Sequence, residues 1–156
     1  MFNKILVGLD GSKLAEQIIP FVVEQAKGFK SKVVLVHIVH EPVILSPDIP
    51  GSPGVPIEMP GAAERVLKEQ GEAFDYLEKI ADTLREKGLD TESVVLEGDP
   101  GEAMVSYANN NDIELIAVAT HGRTGLRRAV LGSVTDYILR ESGLPVLVIR
   151  PQESAS

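Results

Sequence analysis

The residues best suited to chemistry gather in one stretch, Ala119-Thr120-His121-Gly122-Arg123-Thr124-Gly125-Leu126-Arg127-Arg128-Ala129-Val130-Leu131-Gly132-Ser133, followed by Val134-Thr135-Asp136. Glycine removes the side chain that would keep an anion away from backbone amides, and a helix start leaves four N–H groups unpaired beside a partial positive charge. Three of the fifteen Lys and Arg residues, Arg123, Arg127 and Arg128, fall inside this stretch. Such a loop is shaped to hold phosphate. The same residue types also have plainer uses, since glycines turn the chain and a serine ahead of a helix caps it.

A second candidate is Asp10-Gly11-Ser12, directly after the apolar run Ile5-Leu6-Val7-Gly8-Leu9. A carboxylate there repels phosphate, but it can accept hydrogen bonds from ribose hydroxyls or help to hold a divalent cation. It serves equally as a turn or capping residue. His121, within the glycine stretch, can donate to a phosphate or shuttle a proton, or it is an exposed loop histidine. His37 interrupts an apolar strand and is expected to be a hydrogen-bonded core residue, while His40 closes that strand at the surface. There is no G-x-x-x-x-G-K-[ST] and no G-x-G-x-x-G after the first strand, so neither a P-loop nor a dinucleotide fold is supported. Ser12, Asp10 and the histidines occupy no nucleophile-elbow setting, and no two histidines stand at metal-ligand spacing on one helix.

These residues sit in a chain of 156 residues with 44% hydrophobic content, no cysteine and a net charge of −8. Absence of cysteine removes disulfides, thiolate metal sites and cysteine nucleophiles. The acidic balance disfavours nucleic acid and anionic lipid as partners, and it makes a local arginine cluster more informative. No apolar run approaches the roughly 18 residues of a membrane span, and the first residues lack the order of a secretory signal, so a cytoplasmic location is expected. Residues 1–151 are read as a single domain and 152–156 as a flexible tail.

The elements that must position the candidates follow from hydrophobic periodicity. Residues 5–9 read as a strand buried on both faces, followed by a helix of apolar positions 14, 15, 18, 19, 22, 23 and 26 that Gly28 stops. Pro20 lies inside that helix and predicts a kink or local loosening. Residues 33–39 read as a second buried strand. Residues 40–61 hold six of the ten prolines. They are read as a loop insertion whose apolar members cover a domain edge or a partner subunit. A helix from Ala62 carries an apolar stripe of Val66, Ala73, Phe74, Leu77, Ile80, Ala81 and Leu84, its charged residues forming a solvated face.

Residues 92–97 give a short strand suited to a sheet edge. Asp99-Pro100-Gly101-Glu102 then supplies a cap, a proline at the first helical position and a following carboxylate. Residues 115–119 form the fourth strand, Val134 to Leu139 a short helix, and 144–149 the last strand, whose Pro145 fits an edge or a strand beginning. This alternation calls for an α/β fold with five mostly parallel strands and helices on both faces.

With these residues assembled, the chain resembles the universal stress protein family. The resemblance rests on Ile5-Leu6-Val7-Gly8-Leu9-Asp10-Gly11-Ser12, on Val36-His37-Ile38-Val39, on Gly98-Asp99-Pro100, on Thr120-His121-Gly122-Arg123 through Gly132-Ser133, and on Leu144-Pro145-Val146-Leu147-Val148-Ile149. It implies a Rossmann-like, doubly wound sheet of order 3-2-1-4-5 with four helices, and a homodimer formed through the last strand, with Val146 and Val148 at the contact. The ATP-binding branch of the family carries G-x-x-G, nine residues, then G-[ST]. Gly122, Gly132 and Ser133 match that pattern, Ala119 stands at its first glycine, Asp10 matches the ribose aspartate and Ile38 the adenine wall.

The ligand residues so implied are Gly8, Leu9, Asp10, Ile38, Ala119, His121, Gly122, Arg123, Gly132, Ser133, Val134 and Thr135. The implied ligand is ATP, or AMP or ADP, with Mg2+ as companion ion, and the implied role is that of a stress-response sensor or regulator. Two alternatives stand beside it. One is a dimeric interaction module that binds no nucleotide, and the other a slow ATP hydrolase using Asp10 for the metal and His121 for proton transfer.

Overall fold

A computed structural model describes residues 1–40, 60–120 and 131–153. The chain starts with β1 (Lys4–Gly8), α1 (Lys13–Glu16), α2 (Ile19–Phe29) and β2 (Lys32–Val39), and continues with α3 (Ala62–Glu86) and β3 (Thr91–Glu97). It ends with α4 (Pro100–Asn110), β4 (Leu115–Ala119), α5 (Ser133–Glu141) and β5 (Val146–Ile149). The sheet order is β3-β2-β1-β4-β5. All four pairings are parallel, with Leu6 opposite Val34 on one side and Ile116 on the other. The expected order 3-2-1-4-5 and its edge strands β3 and β5 are therefore observed.

Strands buried on both faces need a helical layer on each, because parallel neighbours are joined by crossovers. Alternate residues feed two separate cores. Ile5, Val7, Val33, Leu35, Leu115 and Ala117 pack under α1, α2 and α3, together with Ile18, Val22, Leu77, Ala81 and Leu84. Leu6, Val34, Val36, Ile116 and Val118 pack on the other side against Met104, Val105 and Ala108 of α4 and Ile138 of α5.

The first predicted helix is divided. α1 ends at Glu16, Gln17 and Ile18 donate to Leu14 and Ala15 through tight turns, and α2 begins with Pro20 in its first turn. A proline is tolerated there because the first turn's N–H groups have no intrahelical partner, so the chain restarts the helix instead of kinking it. In α3 the predicted stripe holds from Ala73 onward, but Phe74 is 44% exposed and the first turns bury nothing, Leu67 being 67% exposed. The Asp99 cap forms as expected, its side chain accepting from Glu102 N at 3.0 Å. β5 begins at Val146 because Pro145 has no N–H to give, although its carbonyl accepts from Ile116 N. Gln152, assigned to the tail by sequence, is held at its main chain by the Gln17 amide, with bonds of 2.8 and 2.9 Å. Most of the 40–61 insertion lies outside the described residues. Among the described residues no helix is long and apolar enough to cross a membrane.

Candidate functional site

β1 and β4 are neighbours, and the helices that follow them lie on opposite faces of the sheet, which opens a crevice beyond their carboxyl ends. At the end of β1, a Cβ added to Gly8 would lie 2.9 Å from Met104 Cε and 3.2 Å from Val118 Cγ1. The missing side chain lets α4 settle on the strand, so Gly8 has a packing role. Leu9 is buried and donates from its N–H to Val36 O at 2.9 Å.

The next three residues make a closed turn. Asp10 is exposed, and its Oδ1 accepts from Ser12 N at 2.9 Å. Gly11 adopts φ +87°, a left-handed conformation that costs glycine nothing. Ser12 caps α1 by accepting from Ala15 N at 3.1 Å. The turn and capping roles read for this stretch are thus present, and they leave the Asp10 carboxylate at the surface of the crevice.

His37 lies across from this turn on β2, and its ring nitrogen Nδ1 donates to Leu9 O at 3.0 Å. A carbonyl only accepts, so Nδ1 carries the proton. The imidazole meets the Tyr76 ring edge-on, with centroids 6.2 Å apart and planes at 70°. Tyr76 OH donates to Glu16 Oε1 at 3.1 Å. Partial burial, reinforced by the Glu16 carboxylate, pushes the phenol above its ordinary range. His37 is therefore a hydrogen-bonded histidine, as expected, but at the edge of the crevice and not deep in the core.

A cleft of about 480 Å³ opens at this end of the sheet. Leu9, Asp10 and Gly11 line it from the turn after β1, residues 37–40 from the end of β2 and just beyond it, Glu69, Glu72, Ala73 and Tyr76 from α3, and Pro100 from the start of α4. Three predicted ligand residues, Leu9, Asp10 and Ile38, meet in this one cleft. Asp10, Glu69 and Glu72 make three of its lining residues acidic. Among the described residues no group of three His, Asp or Glu side chains is arranged to hold a metal ion.

The other predicted residues lie elsewhere. Ala119 is half-buried at the end of β4, paired with Ile149, and is not among the residues with positive φ. Its methyl therefore imposes no backbone strain. Gly132 caps α5 with φ −57° and no side-chain hydrogen bond. A Cβ added there would meet nothing within 4 Å among the described residues. Ser133 opens α5 as an exposed residue, Val134 packs into the core beneath α4 and α5, and Thr135 is buried, 3% exposed. His121, Gly122 and Arg123 lie outside the described residues. The α3 contribution was missed by sequence reading. Glu69 and Glu72 look like any solvated helix face, and the one available signal was the polar tip of Tyr76 beside an apolar stripe.

The sequence profile of the universal stress protein family matches residues 1–150. The chain belongs to the universal stress protein family. Universal stress protein MJ0577 of Methanocaldococcus jannaschii is 30% identical over 165 residues, covering 99% of this chain and 98% of the relative. The solved structure of MJ0577 superimposes with a TM-score of 0.72 at 27% identity, covering 99% of each chain. A universal stress protein in complex with cAMP has a TM-score of 0.67 at 20% identity, covering 97% of this chain and 98% of its own. An Arabidopsis thaliana family protein with AMP bound has a TM-score of 0.66 at 14% identity, with coverage of 96% and 92%. At these last two identities the likeness is one of fold.

Proposed function

We propose that this universal stress protein binds an adenine nucleotide, ATP or its hydrolysis products, and acts as a stress-response regulator in the cytoplasm. The base lies along Ile38, the ribose beside Asp10, and the phosphates run toward the 122–133 segment and the start of α5, with Mg2+ as companion ion. The observation that carries this reading is the convergence of Leu9, Asp10 and Ile38 on one cleft beyond the carboxyl ends of β1 and β2. Its volume is within the range of small-molecule sites.

Two further observations support it. Gly132 begins α5 in a backbone conformation open to any residue, and a Cβ added there would meet nothing within 4 Å among the described residues. A glycine at a helix N-terminus suits close approach by a phosphate. Two structural neighbours hold AMP and cAMP. The three arginines of the 123–128 stretch supply cationic charge in a chain of net charge −8.

The same reading makes the protein a homodimer through β5. That strand has β4 on one side only, and its four apolar residues, Val146 and Val148 among them, are half-buried. An apolar edge of this kind is a template for pairing unless it is covered. Light scattering of the purified chain, with Val148→Lys as control, tests this: a dimer reduced to monomer by the substitution is expected.

For the ligand, calorimetric titration of ATP with Mg2+ is decisive. Binding in the micromolar range is expected, because several charge-assisted N–H to phosphate bonds contribute roughly 1.5–3 kcal/mol each before the cost of immobilisation. No heat at millimolar nucleotide ends the proposal.

A further inference from the structure

We infer that His37 is the positioning residue for the Asp10 turn, holding the Leu9 carbonyl so that the turn keeps Asp10 at the cleft. The consequence for affinity rests on the nucleotide reading above, whereas the consequence for the turn does not.

The register of β1 against β2 ends at Gly8 opposite Val36. Beyond it the chain must leave the sheet and still place a carboxylate at the mouth of the crevice. Leu9 N takes the last backbone bond, to Val36 O, and the His37 side chain supplies the next link by donating from Nδ1 to Leu9 O at 3.0 Å. A side chain thus extends the strand pairing by one step. The ring cannot swing away freely, because Tyr76 meets it edge-on and is itself tied through its hydroxyl to Glu16 of α1. β2 and α3 thus both reach the segment from Leu9 to Ser12, the imidazole at the Leu9 carbonyl and the Tyr76 hydroxyl at the Gly11 main chain, with Asp10 between them.

A histidine that merely filled space at this half-buried position would be replaceable by leucine without effect on the turn. A histidine acting as a donor would be replaceable by asparagine, whose amide nitrogen stands near the place of Nδ1. The Ser12 amide reports on the turn directly, since its hydrogen goes to Asp10 Oδ1. The test compares wild type, His37→Leu, His37→Asn and Tyr76→Leu by amide hydrogen exchange at Ser12 and by calorimetric titration with AMP.

His37→Leu is expected to speed Ser12 exchange and weaken AMP binding, each by about tenfold, the loss of one hydrogen bond. His37→Asn is expected to restore both to within about threefold of wild type. Tyr76→Leu keeps the donor but frees the ring and removes the tyrosine's own link to the Gly11 main chain, so it too is expected to speed Ser12 exchange, and it serves as the second variant if His37→Leu does not fold. Unchanged Ser12 exchange in both His37→Leu and Tyr76→Leu overturns the inference, as does faster exchange with unchanged AMP affinity or an asparagine variant no better than leucine. If wild type itself takes up no AMP, the nucleotide reading falls, and Ser12 exchange alone decides the positioning role.

Discussion

The strand-to-helix exits of the neighbouring strands β1 and β4 differ in what their described residues do. The exit from β1 satisfies itself: Asp10 closes onto Ser12, Ser12 caps α1, Gly11 takes the left-handed turn, and His37 holds Leu9 from the neighbouring strand. The described end of the exit from β4 has no such closure. Gly132 caps α5 without a side-chain hydrogen bond, and nothing described stands where its Cβ would be. A turn that closes on itself presents a carboxylate, whereas a helix start presents amides. The first suits hydroxyl groups that donate, and the second suits a group that carries negative charge.

Glycine substitutions separate the two designs most sharply. Gly101 on α4 is needed for packing, because a Cβ there would lie 2.9 Å from Tyr137 Cδ1 and 3.1 Å from Tyr137 Cβ. Gly101→Ala should cost about 2 kcal/mol by urea denaturation, as overpacking of a tight helix contact does. On the closed exit, Ser12→Ala should cost about 1 kcal/mol, the usual value of a lost N-cap. Gly11→Ala should cost a similar amount, about 1 kcal/mol, for placing a side chain at positive φ. On the exit from β4, Gly132→Ala should change stability by less than about 0.5 kcal/mol, since its φ is ordinary and a Cβ there meets nothing within 4 Å among the described residues. A Gly132→Ala cost equal to that of Gly11→Ala would mean the two exits do not differ as described.

Much of this architecture is legible in the sequence because its signals are local. Five apolar runs, each ending in a turn, report parallel strands. Asp99-Pro100-Gly101-Glu102 reports a helix start whose cap forms as written. Pro20 reports a disturbance, but whether it kinks one helix or opens a second depends on how Ile18 is buried, and that is a tertiary matter. The unread part of the site has the same origin. His37 looks like a core histidine until its strand neighbour Leu9 is in place, and Glu69 and Glu72 look solvated until α3 is laid over β2. Gly8 is quoted in the ligand motif, yet its closest neighbours are Met104 and Val118, nearly a hundred residues or more away along the chain. Spacing along the chain carries no record of such contacts.

The central claim is that one nucleotide bridges the two exits. Amide chemical shifts measured while ATP with Mg2+ is added test it most directly. The account predicts that the amides of Gly11 and Ser12 and those of Gly132 and Ser133 move together, saturating with one dissociation constant. Movement at only one exit, or two exits titrating with different constants, would contradict it.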